Sequence, residues 1–97
     1  MVTARRIIER VAEIYGVTAE DLASPRRYRA YSDARAVVCY LLCTLHNCTF
    51  SEVGRMLNKR HATIMYHNHK ANDWVRRPVL NPRAVVVIRE MEKEYNN

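Results

Sequence analysis

The stretch from Thr49 to Lys70, TFSEVGRMLNKRHATIMYHNHK, predicts two short helices joined by a tight polar turn. Thr49 and Glu52 have the spacing of a capping box, in which each side chain satisfies the other residue's backbone amide at a helix start. Residues 58–60 then break the helical pattern, and a second helix is expected from His61. The apolar stripe of the first helix, at steps of three and four, comprises Phe50, Val53, Met56 and Leu57.

A capped helix, a turn and a second helix that opens with small, polar or basic residues are typical of a helix-turn-helix. In that motif the first residues of the second helix, here from His61, reach base edges in the major groove. An ordinary helical hairpin with a solvated basic face is the alternative, because such hairpins are common in small helical domains. The spacing alone leaves both interpretations open.

Length and composition predict a single domain over residues 1–97. The chain is 48% hydrophobic with only two Gly and three Pro, which excludes a disordered or collagen-like chain. The formal charge of +6 favours a polyanionic partner, usually nucleic acid. No apolar run approaches the ~20 residues of a transmembrane helix, and no signal peptide opens the chain. We therefore expect a cytoplasmic, nucleoid-associated protein with no membrane partner.

The rest of the chain predicts an all-α fold, a compact domain of about five to six helices containing the helix-turn-helix. The longest helix, expected from Ser32 to about Leu45, would form the centre of the core. Residues 85–88 would also suit a strand, but nothing nearby could pair with them and the charged run that follows favours helix. Besides the helix-turn-helix, helices are predicted at residues 3–15, 18–23, 32–45 and 81–95.

A basic loop precedes the longest helix. The segment SPRRYRAY, residues 24–31, carries Arg26, Arg27 and Arg29 within four positions. Beside a helix-turn-helix, such a loop can enter the minor groove or clamp phosphates. A solvated basic loop with no partner is the alternative.

The sequence shows little support for a metal site or an enzyme. Cys39, Cys43, His46 and Cys48 could form a zinc set, but they lack the short Cys-x-x-Cys spacing of most structural sites. No Walker loop, His-Glu-x-x-His pattern or Gly-x-Ser-x-Gly elbow is present. We predict no catalytic activity, no cofactor, no metal and no small-molecule substrate.

Three separated pieces of the chain, in the right order, resemble the C-terminal DNA-binding domain of the bacterial replication initiator DnaA, of the Trp-repressor-like helix-turn-helix class. The resemblance covers roughly residues 5–75. The pieces are VAEIYGVTAEDL from Val11, SPRRYRAYSDARAVVCYLL from Ser24, and VGRMLNKRHATI from Val53.

The resemblance implies site residues by position. Arg27 would enter the minor groove, and Arg35 would contact a phosphate. His61, Ala62 and Thr63 would read bases, the Thr63 methyl group suiting a thymine methyl. Lys70 would contact the backbone, and the start of the preceding helix, near Phe50 and Ser51, would lie against phosphate. With the basic residues and the His67 beside them, the predicted DNA-binding residues are Arg26, Arg27, Arg29, Arg35, Phe50, Ser51, Lys59, Arg60, His61, Ala62, Thr63, His67 and Lys70.

The sequence departs from the family in its turn. Lys59-Arg60 stands where the family usually has Arg-Asp, and an arginine cannot accept the hydrogen bond that the acid accepts. The preferred DNA site is therefore expected to differ or to be read less selectively. This sequence holds no counterpart of the family's ATPase module, so the resemblance implies DNA binding rather than ATP-driven origin melting by this chain alone.

The function predicted from the resemblance is sequence-specific binding of double-stranded DNA by a monomer at an asymmetric site, as in replication-origin recognition. One alternative is a dimeric helix-turn-helix regulator, which would prefer a palindrome. Another is a protein-interaction domain whose basic face meets an acidic partner.

Overall fold

The computed structural model describes residues 3–95, and in that range the regular structure is entirely helical. The all-α prediction is thereby confirmed. The elements are α1 (Ala4–Ile14), α2 (Ala19–Ala23), α3 (Arg29–Leu45), α4 (Phe50–Leu57), α5 (His61–Arg76), a single 3-10 turn (Pro78–Leu80) and α6 (Pro82–Tyr95).

Helix α3 is the centre of the core, as predicted. It packs most extensively on α5, α6 and α1. Its buried residues form a nearly continuous run from Ala34 to Leu42, so that α3 is covered by neighbours around most of its circumference. One hydrophobic cluster draws buried side chains from all six helices, including Ile7, Leu22, Leu41, Val53, Ile64 and Ile88.

Side-chain caps fix where the short helices begin. Thr18 Oγ1 accepts from the amide of Asp21 at 3.0 Å, and the Asp21 carboxylate accepts from the amide of Thr18 at 2.9 Å. Thr49 and Glu52 form the same reciprocal pair at 3.1 and 2.8 Å, which confirms the predicted capping box. Because α2 and α4 both start at capped threonines, the path of the chain into these helices is set locally.

Two local predictions were wrong. Helix α3 begins at Arg29, three residues before the expected Ser32, because the amide of Ser32 bonds the carbonyl of Tyr28 and closes an earlier turn. Arg29 therefore lies on the helix rather than in the basic loop. Met56, assigned to the apolar stripe of α4, is 41% exposed, because the buried face of this short helix is formed by Val53, Gly54 and Leu57.

The ambiguous segment at residues 85–88 is helical and belongs to α6. Val85, Ile88 and Met91 are buried, as the helical interpretation requires. Asn81 Oδ1 accepts from the amide of Ala84 at 3.1 Å and satisfies the first turn. Within residues 3–95, none of the helices combines the length and the apolar character needed to cross a membrane.

Candidate DNA-binding surface

The turn between α4 and α5 depends on one left-handed residue and one glycine. Asn58 ends α4 with φ of 54°, a conformation that asparagine tolerates better than most residues. The carbonyl of Gly54 accepts from the amide of Lys59 at 2.9 Å. A Cβ atom on Gly54 would lie only 2.6 Å from the carbonyl oxygen of Lys59. The glycine therefore lets the turn fold back onto α4, which sets the direction in which α5 leaves.

A groove of about 840 Å³ separates the basic loop from the start of α5. It brings Arg27 of the loop together with Lys59, Arg60, Ala62 and Thr63, more than 30 residues later in the chain. Two further predicted residues, Arg35 and His67, also line it. In the described part of the chain, residues 3–95, no carboxylate lines this groove. A concave surface with several cations and no acid suits a phosphate backbone.

Arg35 lies at this groove, but its guanidinium is directed into the protein. The side chain donates to the carbonyls of Leu22 at 2.8 Å, Arg26 at 2.8 Å, Asp21 at 3.0 Å and Ser24 at 2.7 Å. Four of its five N–H donors are thus occupied, and the residue is only 3% exposed. The predicted phosphate contact is corrected: Arg35 holds the basic loop in place.

Lys59 ties the same loop to the helix-turn-helix. Its Nζ donates to the carbonyl of Ser24 at 2.6 Å, the carbonyl that Arg35 also bonds. Burial, with a smaller contribution from the Arg35 charge, lowers the pKa of Lys59. Arg27, in contrast, is exposed and lines the groove. The loop thus has an anchored backbone that presents an exposed arginine.

His67 is buried rather than presented to solvent. It is 6% exposed, and its Nδ1 atom has no hydrogen-bond partner among the described residues. Burial, assisted by the charges of Lys70, Arg35 and Lys59, lowers the pKa of His67 to about 4. The imidazole is therefore neutral near pH 7. His67 lines the groove, but its burial gives it a packing role, and a direct contact with DNA stays a prediction.

The burial of His67 predicts a pH-dependent stability. Its folded pKa of about 4 lies below the ordinary 6.5, so between these values only the unfolded chain binds the proton. Stability therefore falls as the pH falls through 6.5 toward 4, by about 1–2 kcal/mol at pH 5. Urea unfolding at pH 7 and pH 5 should show this loss in the wild type and a smaller one in His67→Gln. Equal losses in both chains would contradict the assignment.

A second, shallower groove of about 510 Å³ lies on the other side of the turn. It is lined by the predicted residues Ser51, Arg60 and His61, together with Arg55, which the prediction omitted. Phe50 is partly buried, and its ring meets the His61 ring edge-on at 5.5 Å. Phe50 is therefore placed to position His61, while Ser51 and His61 are exposed.

The remaining predicted residues line neither groove. Arg26 and Arg29 are exposed on or next to the basic loop, and Arg29 lies 4.0 Å from a carboxylate oxygen of Asp33. Lys70 is partly buried, and its Nζ donates to Ser32 Oγ at 3.0 Å. A direct DNA contact by any of these three stays a prediction.

The exposed face of α5 contains residues that the sequence prediction omitted. Burial divides the helix into an inner face with Ile64, His67 and Ala71 and an outer face. The outer face consists of exposed residues that lie one, three or four positions apart: His61, Ala62, Met65, Tyr66 and His69. Placing the buried Ile64 and Trp74 on a helical wheel would have identified this face from the sequence.

The cysteines are not arranged as a metal centre in the part of the chain that the structure describes. No group of three His, Cys, Asp or Glu side chains there could hold a metal ion. Cys39 is buried, and burial raises its pKa to about 12, so it packs as a small apolar side chain.

Comparison with known proteins places this surface in a family. The family described as bacterial DnaA protein helix-turn-helix matches residues 4–71, which include α1 to α4 and the groove-lining part of α5. This chain belongs to the bacterial DnaA helix-turn-helix family. Membership in a DnaA helix-turn-helix family implies DNA binding.

Curated relatives agree with the assignment to the DnaA family. The chain is 37% identical over 67 residues to the chromosomal replication initiator protein DnaA of Anaplasma marginale, covering 68% of this chain and 14% of that protein. The DnaA of Mycobacteroides abscessus is 30% identical over 69 residues, covering 71% and 14%. That of Gluconobacter oxydans is 29% identical over 91 residues, covering 93% and 19%. The chain thus spans less than a fifth of the length of these relatives.

Proposed function

We propose that this chain is a sequence-specific, non-catalytic binder of double-stranded DNA that recognises a site of the initiator-box kind as a monomer. Helix α5 would lie in the major groove, and the basic loop at residues 24–28 would approach the minor groove and backbone. The observation that carries the proposal is the groove that joins Arg27 of the loop to Thr63 of α5.

Charge and accessibility support this arrangement. Thr63 is partly exposed, and Ala62 beside it is small and exposed, so a base edge can approach α5 closely there. The methyl group of Thr63 suits contact with the methyl group of thymine. Arg60 is exposed at the N-terminus of α5 and lines both grooves, where it can donate to a guanine or a phosphate but cannot accept from a cytosine. We therefore propose a preferred site that differs from the family's at the base pair facing Arg60.

The relatives suggest a biological context. They are named chromosomal replication initiator proteins, and this chain corresponds to a small part of each. We propose that it marks or competes for initiator-binding sites at an origin, in the cytoplasm where the chromosome lies.

Selection of bound duplexes from a random library, followed by titration against salt, tests the proposal. An asymmetric motif is the expected result. A palindromic motif would indicate a two-fold dimer instead. Equal binding of all sequences with a steep salt dependence would indicate a phosphate-driven binder, and no binding at low salt would contradict DNA binding altogether.

Two substitutions in the groove should weaken specific binding. Arg27→Ala and Thr63→Ala are each expected to cost about 1–3 kcal/mol on the selected duplex, through loss of a minor-groove contact and of a base contact respectively. Arg5→Ala and Thr44→Ala, which remove the same side chains from exposed positions outside both grooves, are the matched controls. Fluorescence anisotropy at constant salt measures the difference. Groove variants that bind as tightly as the controls would refute the site assignment.

A further inference from the structure

Tyr66 is the most exposed large hydrophobic side chain on the outer face of α5. It is 61% exposed and lines the groove together with Ala62 and Thr63. It follows Ala62 by four residues and Thr63 by three, so all three side chains lie on adjacent parts of one helical surface. At about 1.5 Å of rise per residue, Tyr66 lies roughly 6 Å beyond Ala62 along the helix axis.

The Tyr66 ring is held by its neighbours although it is exposed. Lys70 Nζ lies 5.4 Å from the ring centroid, within the range of a cation–π contact. That ammonium is itself fixed by Ser32 Oγ at 3.0 Å and by the Trp74 ring at 5.5 Å. The centroids of the Tyr66 and His67 rings also lie 5.7 Å apart.

The chemistry of this position suits a base edge. A tyrosine offers a large, rigid contact area at a low cost in conformational entropy. Its hydroxyl can donate to a purine N7 or a thymine O4 or accept from an exocyclic amine, and its ring can pack on a thymine methyl. The small Ala62 leaves the approach to the ring open.

We propose that Tyr66 is a further specificity-determining residue, which contacts base pairs at the edge of the recognised site, next to those that Thr63 reads. This inference rests on the proposed function. It makes the outer face of α5 one reading surface with two layers, an N-terminal layer at Ala62 and Thr63 and a second layer one turn later at Tyr66.

The test uses the full chain and the duplex that the wild type selects. Tyr66→Ala should bind that duplex about 10-fold more weakly and lose preference at one or two base pairs at one edge of the motif. Tyr66→Phe removes the hydroxyl and keeps the ring. It should lose its preference only at a base pair that hydrogen-bonds the hydroxyl. Val86→Ala removes an equally exposed side chain from α6, which contributes to neither groove, and should bind as the wild type does.

Two results would overturn the inference. One is Tyr66→Ala selecting the same motif with the affinity of Val86→Ala. Another is an equal loss of affinity on selected and random duplexes, which would show a contact without sequence information. Thermal unfolding of each variant identifies any loss of affinity that comes from misfolding. If Tyr66→Ala misfolds, the motif that Tyr66→Phe selects tests the inference in its place. If the wild type selects no motif, the proposed function itself fails, and Tyr66 then has no site to specify.

Discussion

Arg35→Ala should lower the free energy of unfolding by about 3–5 kcal/mol, because a partner shared by four backbone carbonyls is removed and each carbonyl left buried costs about 1–3 kcal/mol. The four carbonyls, from Asp21, Leu22, Ser24 and Arg26, lie in or just after α2. The Ser24 carbonyl keeps its bond from Lys59 and the Asp21 carbonyl keeps its bond from the Ser24 hydroxyl, and water can reach others, which keeps the loss below the full sum. Denaturant unfolding followed by circular dichroism measures it.

Arg29→Ala is the matched control for Arg35→Ala. It removes an arginine from the same helix, but the Arg29 side chain is 92% exposed, so its loss should change stability by less than about 0.5 kcal/mol. Arg35→Lys should fall between the two, because one ammonium cannot replace the planar guanidinium at four carbonyls. If Arg35→Ala were no less stable than Arg29→Ala, the structural role of Arg35 would be wrong and a phosphate contact would again be the better interpretation.

Gly54→Val should destabilise the fold by about 3–4 kcal/mol. Even the Cβ atom would lie 2.6 Å from the carbonyl oxygen of Lys59, which is backbone and cannot rotate away. Overpacking of this kind costs about 1–3 kcal/mol for small additions, and valine adds two methyl groups more. Thermal unfolding measures the effect, and DNA binding should weaken with it because α5 changes direction.

Met56→Val provides the control for placing a β-branched residue in α4. Met56 is exposed, so that variant should lose only the helix-propensity difference, under about 1 kcal/mol. The stability loss of Gly54→Ala should be intermediate, because the higher helix propensity of alanine offsets part of the cost of the clash. A Gly54→Val protein as stable as Met56→Val would show that the turn opens easily.

Local sequence signals predicted most of the fold. The caps at Thr18 and Thr49 lie within three residues of their partners, so the starts of α2 and α4 follow from short-range chemistry. The start of α3 was missed because Tyr28 offers no side-chain cap, and the first turn is closed by the backbone bond from the Ser32 amide to the Tyr28 carbonyl. A backbone hydrogen bond can form whatever the side chains are, so such a helix start leaves no residue pattern in the sequence.

The contacts of the candidate residues to DNA stay predictions, but the fold shows where their side chains lie. Position in a motif named Arg27 and Thr63, which the fold brings to one groove. It could not distinguish them from Arg35, whose partners lie 9 to 14 residues earlier in the chain. His67 and Tyr66 are neighbours in sequence, yet one is buried and the other exposed. A helical wheel centred on the apolar Ile64 and Trp74 separates them, and the packing of α5 confirms that His67 faces inward.

The carbonyl of Ser24 accepts two hydrogen bonds, and this affects the conformational entropy that the loop loses on binding DNA. A free loop must give up roughly 1–2 kcal/mol of backbone conformational entropy for each residue that becomes ordered. Here Arg35 and Lys59 already restrict the segment before DNA arrives. The ordering cost is therefore met during folding, and in the proposed binding mode Arg27 would meet the duplex from a preorganised backbone. Weakening the hydrogen bonds from Arg35 and Lys59 to the loop should therefore lower DNA affinity without removing any contact to DNA.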